Sequence, residues 1–281
     1  MEKNGIYGLK RQEREGMPLL KTIKLLVKNN LNLYRLYRWM RSLAERDREL
    51  EIIPKILASH IQKTGNENAI DIGANKGIYT RLLLRRCRLQ VYCFEPQPKL
   101  CEYIARRLKL YKGLHIFNIG LSDPESILKL HIPLFSNGYL ADGTATFQEI
   151  KEKHESITVP VKTLDSFNLT DIRFIKIDVE GFESNVLAGA KETIKNNKPI
   201  MLIEIAQRHL DRDCRELTVE EVILQATNMG YKCYYYLNKQ LVPFIFNVQL
   251  INELQKDDFI GKDKNVYNFF FFPMEMQIPS V

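Results

Sequence analysis

Residues 69–77 read A-I-D-I-G-A-N-K-G. An apolar run, Ala69–Ile72, breaks into a glycine turn, and a helical pattern begins at Ile78. Strand, glycine turn and helix in this order are how an α/β fold presents backbone N–H groups to an anionic ligand. The following apolar run, V-Y-C-F-E at 91–95, closes on a lone acid, Glu95. A carboxylate about 20 residues beyond the turn, at the end of the second strand, is where such folds bind the two hydroxyls of a ribose. These positions predict a nucleoside-containing cofactor.

The glycine spacing narrows the choice. A dinucleotide fingerprint is G-x-G-x-x-G, and its second glycine makes room for a pyrophosphate. Here Gly73 and Gly77 flank Asn75, whose side chain crowds that position. A cofactor with an adenosine but no pyrophosphate, such as S-adenosylmethionine, fits better. Gly73, Ala74, Asn75 and Gly77 then form its cradle, Asp71 pairs with a cationic amine of the ligand, and Glu95 takes the ribose. After the third strand, Ser122 and Asp123 offer an acceptor to an adenine amino group, although Ser-Asp-Pro is equally a turn or capping signal.

Outward from this stretch, strands and helices alternate, which predicts a doubly wound, mostly parallel α/β sheet. Strands are expected at Ala69–Ile72, Gln90–Glu95, His115–Asn118, Phe174–Asp178, Ile200–Ile205, Tyr231–Leu237 and Val266–Phe272. Helices are expected at about 78–86, 98–110, 183–194 and 218–229, the second opened by Pro96 and Pro98. Residues 121–164 lack a helical period but alternate at 127–132 and 157–161, around a loop at 137–144. They read as a β-hairpin insertion over one end of the sheet, a common way to build a substrate wall. The segment 238–265 fits no element. Residues 1–65 read as an N-terminal helical extension, with helices at 19–46 and 49–63, ahead of a domain at 66–281.

A second cluster lies at 175–183, I-K-I-D-V-E-G-F-E. Asp178, Glu180 and Glu183 sit at the carboxyl end of a predicted central strand, the edge where ligands bind in open α/β sheets. Glu180 and Glu183 also suit a helix N-terminus electrostatically, which leaves Asp178 without that explanation. Strand alternation puts Lys176 on the side of Asp178, where it can pair an acid beneath the site. At the end of the next strand, L-I-E-I-A-Q-R-H over 202–209, His209 is the best placed of the five histidines to take a proton. Glu204 with Asp178 offers hard oxygen ligands to a divalent ion such as Mg²⁺, a metal question that two carboxylates leave open.

Composition excludes several classes. The 281 residues hold 45% hydrophobic and 27% charged side chains, ordinary for a globular protein. Five cysteines without a C-x-x-C pair argue for a reducing compartment and against a structural zinc. No apolar leader and no run of 18 apolar residues occur, so a cytoplasmic protein without a spanning helix is expected. The net charge is +7, and 21–41 holds six basic residues and no acid. Plotted as a helix, Lys21, Lys24, Lys28, Arg35 and Arg38 form one stripe. Its apolar side suits packing on the core or on the second copy of a homodimer; peripheral contact with a membrane surface and docking of an anionic substrate stand as alternatives. No recognition helix, zinc finger or RNP-type motif points to nucleic acid.

Taken together, these residues resemble the FkbM-type methyltransferase family. The matching pieces are D-I-G-A-N-K-G at 71–77, F-E-P at 94–96, G-L-S-D at 120–123, T-L-D-S-F at 163–167, I-K-I-D-V-E-G at 175–181 and I-E-I at 203–205. The resemblance implies a Rossmann-like, seven-strand class I sheet that uses S-adenosylmethionine. It also implies methyl transfer, mostly to hydroxyls of sugars, glycans and natural products. Asp178 is then the first candidate base, His209 the second, with Glu180 orienting the acceptor. A nicotinamide-dependent oxidoreductase, a nucleic-acid methyltransferase using the basic helices, and a non-catalytic binding module are the competing readings.

Overall fold

Strands of Ile, Val and Phe that are apolar on both faces need helices on both sides, and the computed structural model has this arrangement. It describes residues 48–62, 66–134, 140–211, 217–246, 251, 255 and 266–279, within a compact unit, Asp47–Val281. The helix expected over 19–46 lies outside the described residues, as do 135–139 of the insertion loop and most of 247–265.

The elements run α1 (Arg48–Ala58), β1 (Asn68–Ile72), α2 (Ile78–Leu82), β2 (Gln90–Phe94), α3 (Pro98–Arg107), β3 (Leu114–Phe117), β4 (Gly120–Leu121), β5 (Ser126–Pro133) and β6 (His154–Lys162). They continue with β7 (Ile172–Ile177), α4 (Glu183–Ala188), α5 (Lys191–Asn197), β8 (Ile200–Glu204), α6 (Gln207–Leu210), α7 (Val219–Thr227), β9 (Tyr231–Leu237), β10 (Gln240–Pro243) and β11 (Asn268–Pro273). The main sheet has the order β10-β9-β11-β8-β7-β1-β2-β3. β3, β2, β1, β7 and β8 are parallel. β11 runs antiparallel between β8 and β9.

Neighbouring residues of each strand serve opposite faces, as the period of two requires. Ile70, Ile175, Ile203 and Phe271 pack with α4, α5 and α7. Ala69, Phe174, Leu202 and Phe270 pack on the other side with Ile52, Ile53, Ile56 and Leu57 of α1 and with Leu83 and Ile104. The four phenylalanines of β11 are fully buried, so that strand is anchored on both faces. The insertion is a separate three-stranded sheet, β4-β6-β5, in which β5 and β6 pair antiparallel over their whole length.

Several expectations shift. The sheet has eight strands rather than seven, because β10 folds back on β9 as a hairpin in the stretch that fitted no element. The helix expected over 49–63 ends at Ala58. The one begun at Ile78 widens into a π-turn, Leu83–Cys87, and closes on Arg88 in the left-handed region. The single helix expected at 183–194 is two, α4 and α5, broken at Gly189 and Ala190. Gly189 lies against the Ser122 carbonyl, and a Cβ there would stand 2.8 Å from that oxygen.

Candidate functional site

After β1 the chain winds outward through β2 and β3, then returns to place β7 on the other side of β1. The carboxyl ends of β1 and β7 thus flank a topological switch point, where open α/β sheets bind ligands. A cleft opens there, lined from the ends of three strands and from the insertion. The end of β1 supplies Gly73 and Asn75, the end of β2 Glu95 and Gln97, and the end of β7 Asp178 and Glu180. Ile119 to Leu121 and the insertion residues Leu130, Ala145 and Phe147 complete the wall. Phe147 had no local signal in the sequence; only the fold of the insertion brings it here.

Gly73 sets how closely β1 and β7 approach. Its φ is +74°, and a Cβ would stand 1.8 Å from the Asp178 carbonyl oxygen, so no other residue fits without moving one strand end. Four of the turn's N–H groups are already spent. Those of Gly73 and Ala74 donate to the Phe94 carbonyl, and that of Gly77 to the Ala74 carbonyl. The Asn75 N–H donates to Glu95 Oε2 at 2.7 Å, and the Gln97 N–H to Glu95 Oε1 at 2.9 Å. Glu95 therefore bridges the two strand ends. Burial pushes its carboxyl up to about 7, against the pull of both N–H donors. Glu95 thus presents acceptor oxygens at the rim beside the turn. Asn75 adds to it: its Oδ1 is buried and lacks a hydrogen-bond partner among the described residues.

Other expected contacts sit elsewhere. Asp71 is fully buried, accepts a hydrogen bond from Thr80 Oγ1, and is absent from the cleft wall. It ties β1 to α2, and burial raises its carboxyl to about 6. Ala74 and Gly77 are buried behind Asn75; a Cβ on Gly77 would meet Ile104 at 3.2 Å. Ser122 is buried and donates its N–H to the Lys162 carbonyl. Asp123 is exposed ahead of a cis peptide to Pro124. Neither lines the cleft; the preceding Ile119, Gly120 and Leu121 do.

The acids at the end of β7 divide into two groups. Lys176 is 1% exposed, and its Nζ lies 3.8 Å from Asp178 Oδ2 and 4.0 Å from Glu204 Oε2. It also donates to the Ile177 carbonyl and Asn268 Oδ1. Burial, then the nearby Asp178, pushes the Glu204 carboxyl well above its ordinary value. The lysine charge therefore serves Asp178 chiefly. Glu180 has a φ of +54°, and its Oε2 lies 2.9 Å from His209 Nε2.

The same ring nitrogen is 3.1 Å from Arg208 Nε. It accepts the Arg208 hydrogen there, and Glu180 Oε2 is buried without a hydrogen-bond partner among the described residues. His209 is buried on α6, absent from the wall, and stands behind Glu180. The backbone carrying Glu180 is clamped from the insertion. Thr146 Oγ1 donates to the Glu180 carbonyl at 3.0 Å, and Gln148 Nε2 to the Gly181 carbonyl at 2.8 Å. Beneath them Glu183 accepts the Gly181 N–H, and burial raises its carboxyl to about 7.

Among the described residues, no group of three or more His, Cys, Asp or Glu side chains converges as a metal site. No described helix is long and apolar enough to cross a membrane.

The methyltransferase FkbM domain matches the chain over residues 71–233, a span that contains both strand ends and the whole insertion. "2-O-methyltransferase NoeI" of Sinorhizobium fredii is 29% identical over 150 residues, 46% of this chain and 59% of that protein. "Methyltransferase 1" of Beauveria bassiana is 28% identical over 141 residues, 43% of this chain and 57% of that protein. The chain thus spans less than two thirds of the length of these curated relatives. The crystal structure of methyltransferase FkbM from Methylobacillus flagellatus superposes with a TM-score of 0.43 at 15% identity, over 76% of this chain and 46% of that one. With more than half of its residues matched, and the cleft inside the matched span, the chain belongs to the methyltransferase FkbM domain family.

Proposed function

We propose that the chain transfers a methyl group from S-adenosylmethionine to a hydroxyl of a glycan or natural-product small molecule. The observation that carries this reading is the chemistry of the cleft wall. Four acceptors stand on it (Glu95, Asp178, Glu180 and the unpartnered Asn75 Oδ1), while the N–H groups of Gly73, Ala74, Asn75 and Gly77 are consumed internally. Such a wall suits a ligand rich in hydrogen-bond donors and positive charge better than a pyrophosphate.

Glu95 and Asn75 hold the nucleoside hydroxyls through their remaining lone pairs, with Ile119 and Leu121 as the apolar side of the base site. Bound S-adenosylmethionine supplies a methyl group on an already activated, positively charged sulfur. The protein's task is then mostly alignment, which can contribute much of the rate. A neutral hydroxyl is a poor nucleophile, so a base must take its proton as the bond forms. Asp178, on the cleft wall with Lys176 beneath it, takes that role in this reading. Glu180 orients the acceptor, with His209 as its buried partner. Oxygen as the accepting atom has its support in the relative named as a 2-O-methyltransferase.

The test is binding, then turnover. S-adenosylhomocysteine should bind by calorimetry and NADH should not; the reverse pattern overturns the reading. In a screen of sugars and hydroxylated small molecules with labelled S-adenosylmethionine, Asp178→Asn should keep cofactor affinity and lose about a hundredfold or more in turnover. Unchanged turnover removes Asp178 from the role of base.

A further inference from the structure

Within the described domain, one side carries a concentrated positive charge. Between Lys76 and Lys112 the sequence has ten basic side chains and two acids, Glu95 and Glu102. Apart from this surplus and the basic residues of 1–47, the rest of the chain carries more acids than bases. All ten cations are exposed, whereas Glu95 is buried in the cleft wall. They sit on α2 with its π-turn, on α3, and on the residues flanking these helices. Both helices cover the same face of the sheet, where Leu83 and Ile104 share one core.

Arg81, Arg85 and Arg86 converge with Leu50 and Ile78 around a surface groove. None of the ten is in an ion pair with a described acid. Glu49 and Glu51 lie in the first turn of the adjoining α1. Apolar side chains stand out among the cations: Ile78 is 53% exposed, Tyr103 37% and Leu110 86%.

We propose that this face docks the protein on an anionic lipid bilayer, an interaction separate from the methyl-transfer reading and not dependent on it. The charge draws the domain to a negative surface, each Lys or Arg near it strengthening binding about fivefold. The protruding Ile78, Tyr103 and Leu110 are what distinguishes a lipid surface from a nucleic acid. Such side chains gain by entering the headgroup region, while the long Arg and Lys stems keep their charges at the phosphates. α2 and α3 both start at the rim of the cleft, after Asn75 and at Gln97, so an acceptor carried by the same bilayer lies within reach of the site.

The experiment is co-sedimentation of the full chain with vesicles of phosphatidylcholine alone and with phosphatidylglycerol added. Binding is expected only to the anionic vesicles and should fall steeply with salt. The quadruple variant Arg81→Gln, Arg85→Gln, Arg107→Gln and Lys109→Gln should bind more than about a hundredfold more weakly. The matching triple variant Arg81→Lys, Arg85→Lys and Arg107→Lys should bind as the parent does, which separates loss of charge from loss of fold. Leu110→Ser should weaken vesicle binding without changing the salt dependence. Equal binding by parent and Gln variant overturns the proposal. So does tighter binding to RNA than to anionic vesicles with no effect of Leu110→Ser.

Discussion

Replacing Gly73 with alanine probes the contact that joins the two halves of the cleft. The new Cβ would stand 1.8 Å from the Asp178 carbonyl oxygen, in a backbone conformation of φ +74°. Carbon and oxygen do not approach closer than about 3 Å, so one strand end must move by at least about 1.2 Å. The Asp178 N–H donates to the Ile72 carbonyl and the Gly73 N–H to the Phe94 carbonyl, and this displacement breaks both bonds. Two backbone hydrogen bonds contribute about 1 kcal/mol each, and the left-handed conformation costs about 1–2 kcal/mol more for a residue with a Cβ. The sum, about 3–4 kcal/mol, is a large part of a domain's stability. For a unit of this size it lowers Tm by about 10 °C. Thermal unfolding and calorimetric binding of S-adenosylhomocysteine measure the two consequences, and affinity should be lost because Asn75 and Asp178 no longer flank one cleft. A Gly73→Ala protein that melts within 2 °C of the parent and binds the ligand equally refutes the reasoning.

Two further outcomes follow from buried charge. The folded Glu183 carboxyl holds its proton up to about 7, against 4.5 for the ordinary group. The unfolded state therefore binds fewer protons across that window, and this group's contribution, on the order of 3 kcal/mol, is present below pH 4.5 and lost as pH rises through 7. Glu183→Gln keeps an acceptor for the Gly181 N–H and should flatten the fall in stability between pH 5 and 8 in urea titrations; an unchanged slope counts against it. Lys176→Met leaves Asp178 and Glu204 facing one another over an apolar slot, so its loss of stability should be greater at pH 8 than at pH 5. Equal loss at both values would show that the lysine acts by packing alone.

The alternation of strands and helices was legible because each signal is local: an apolar run, then a glycine or proline, then a helical period. Gly73, Asn75, Glu95, Asp178 and Glu180 were found for the same reason, since strand ends in an open α/β sheet share one edge and the chain marks each end with a turn. The eighth strand was not legible. The β10 hairpin stretch, Q-L-V-P, is short, and its pairing with β9 depends on an edge that exists only once the sheet has formed.

What a residue touches behind its own turn also lay beyond the chain's local pattern. Asp71 looked available to a ligand until Thr80, nine residues on, was seen to occupy its carboxylate. His209 looked like a base in the cleft and stands instead behind Glu180. Thr146, Phe147 and Gln148 showed no motif, because their role comes from the insertion folding back over Glu180 and Gly181. The kind of fold and the edge that carries the site follow from periodicity and turns, which act over a few residues. Which acceptor faces the ligand, which carboxylate is spent inside, and which charges share one outer face follow from packing between segments up to a hundred residues apart.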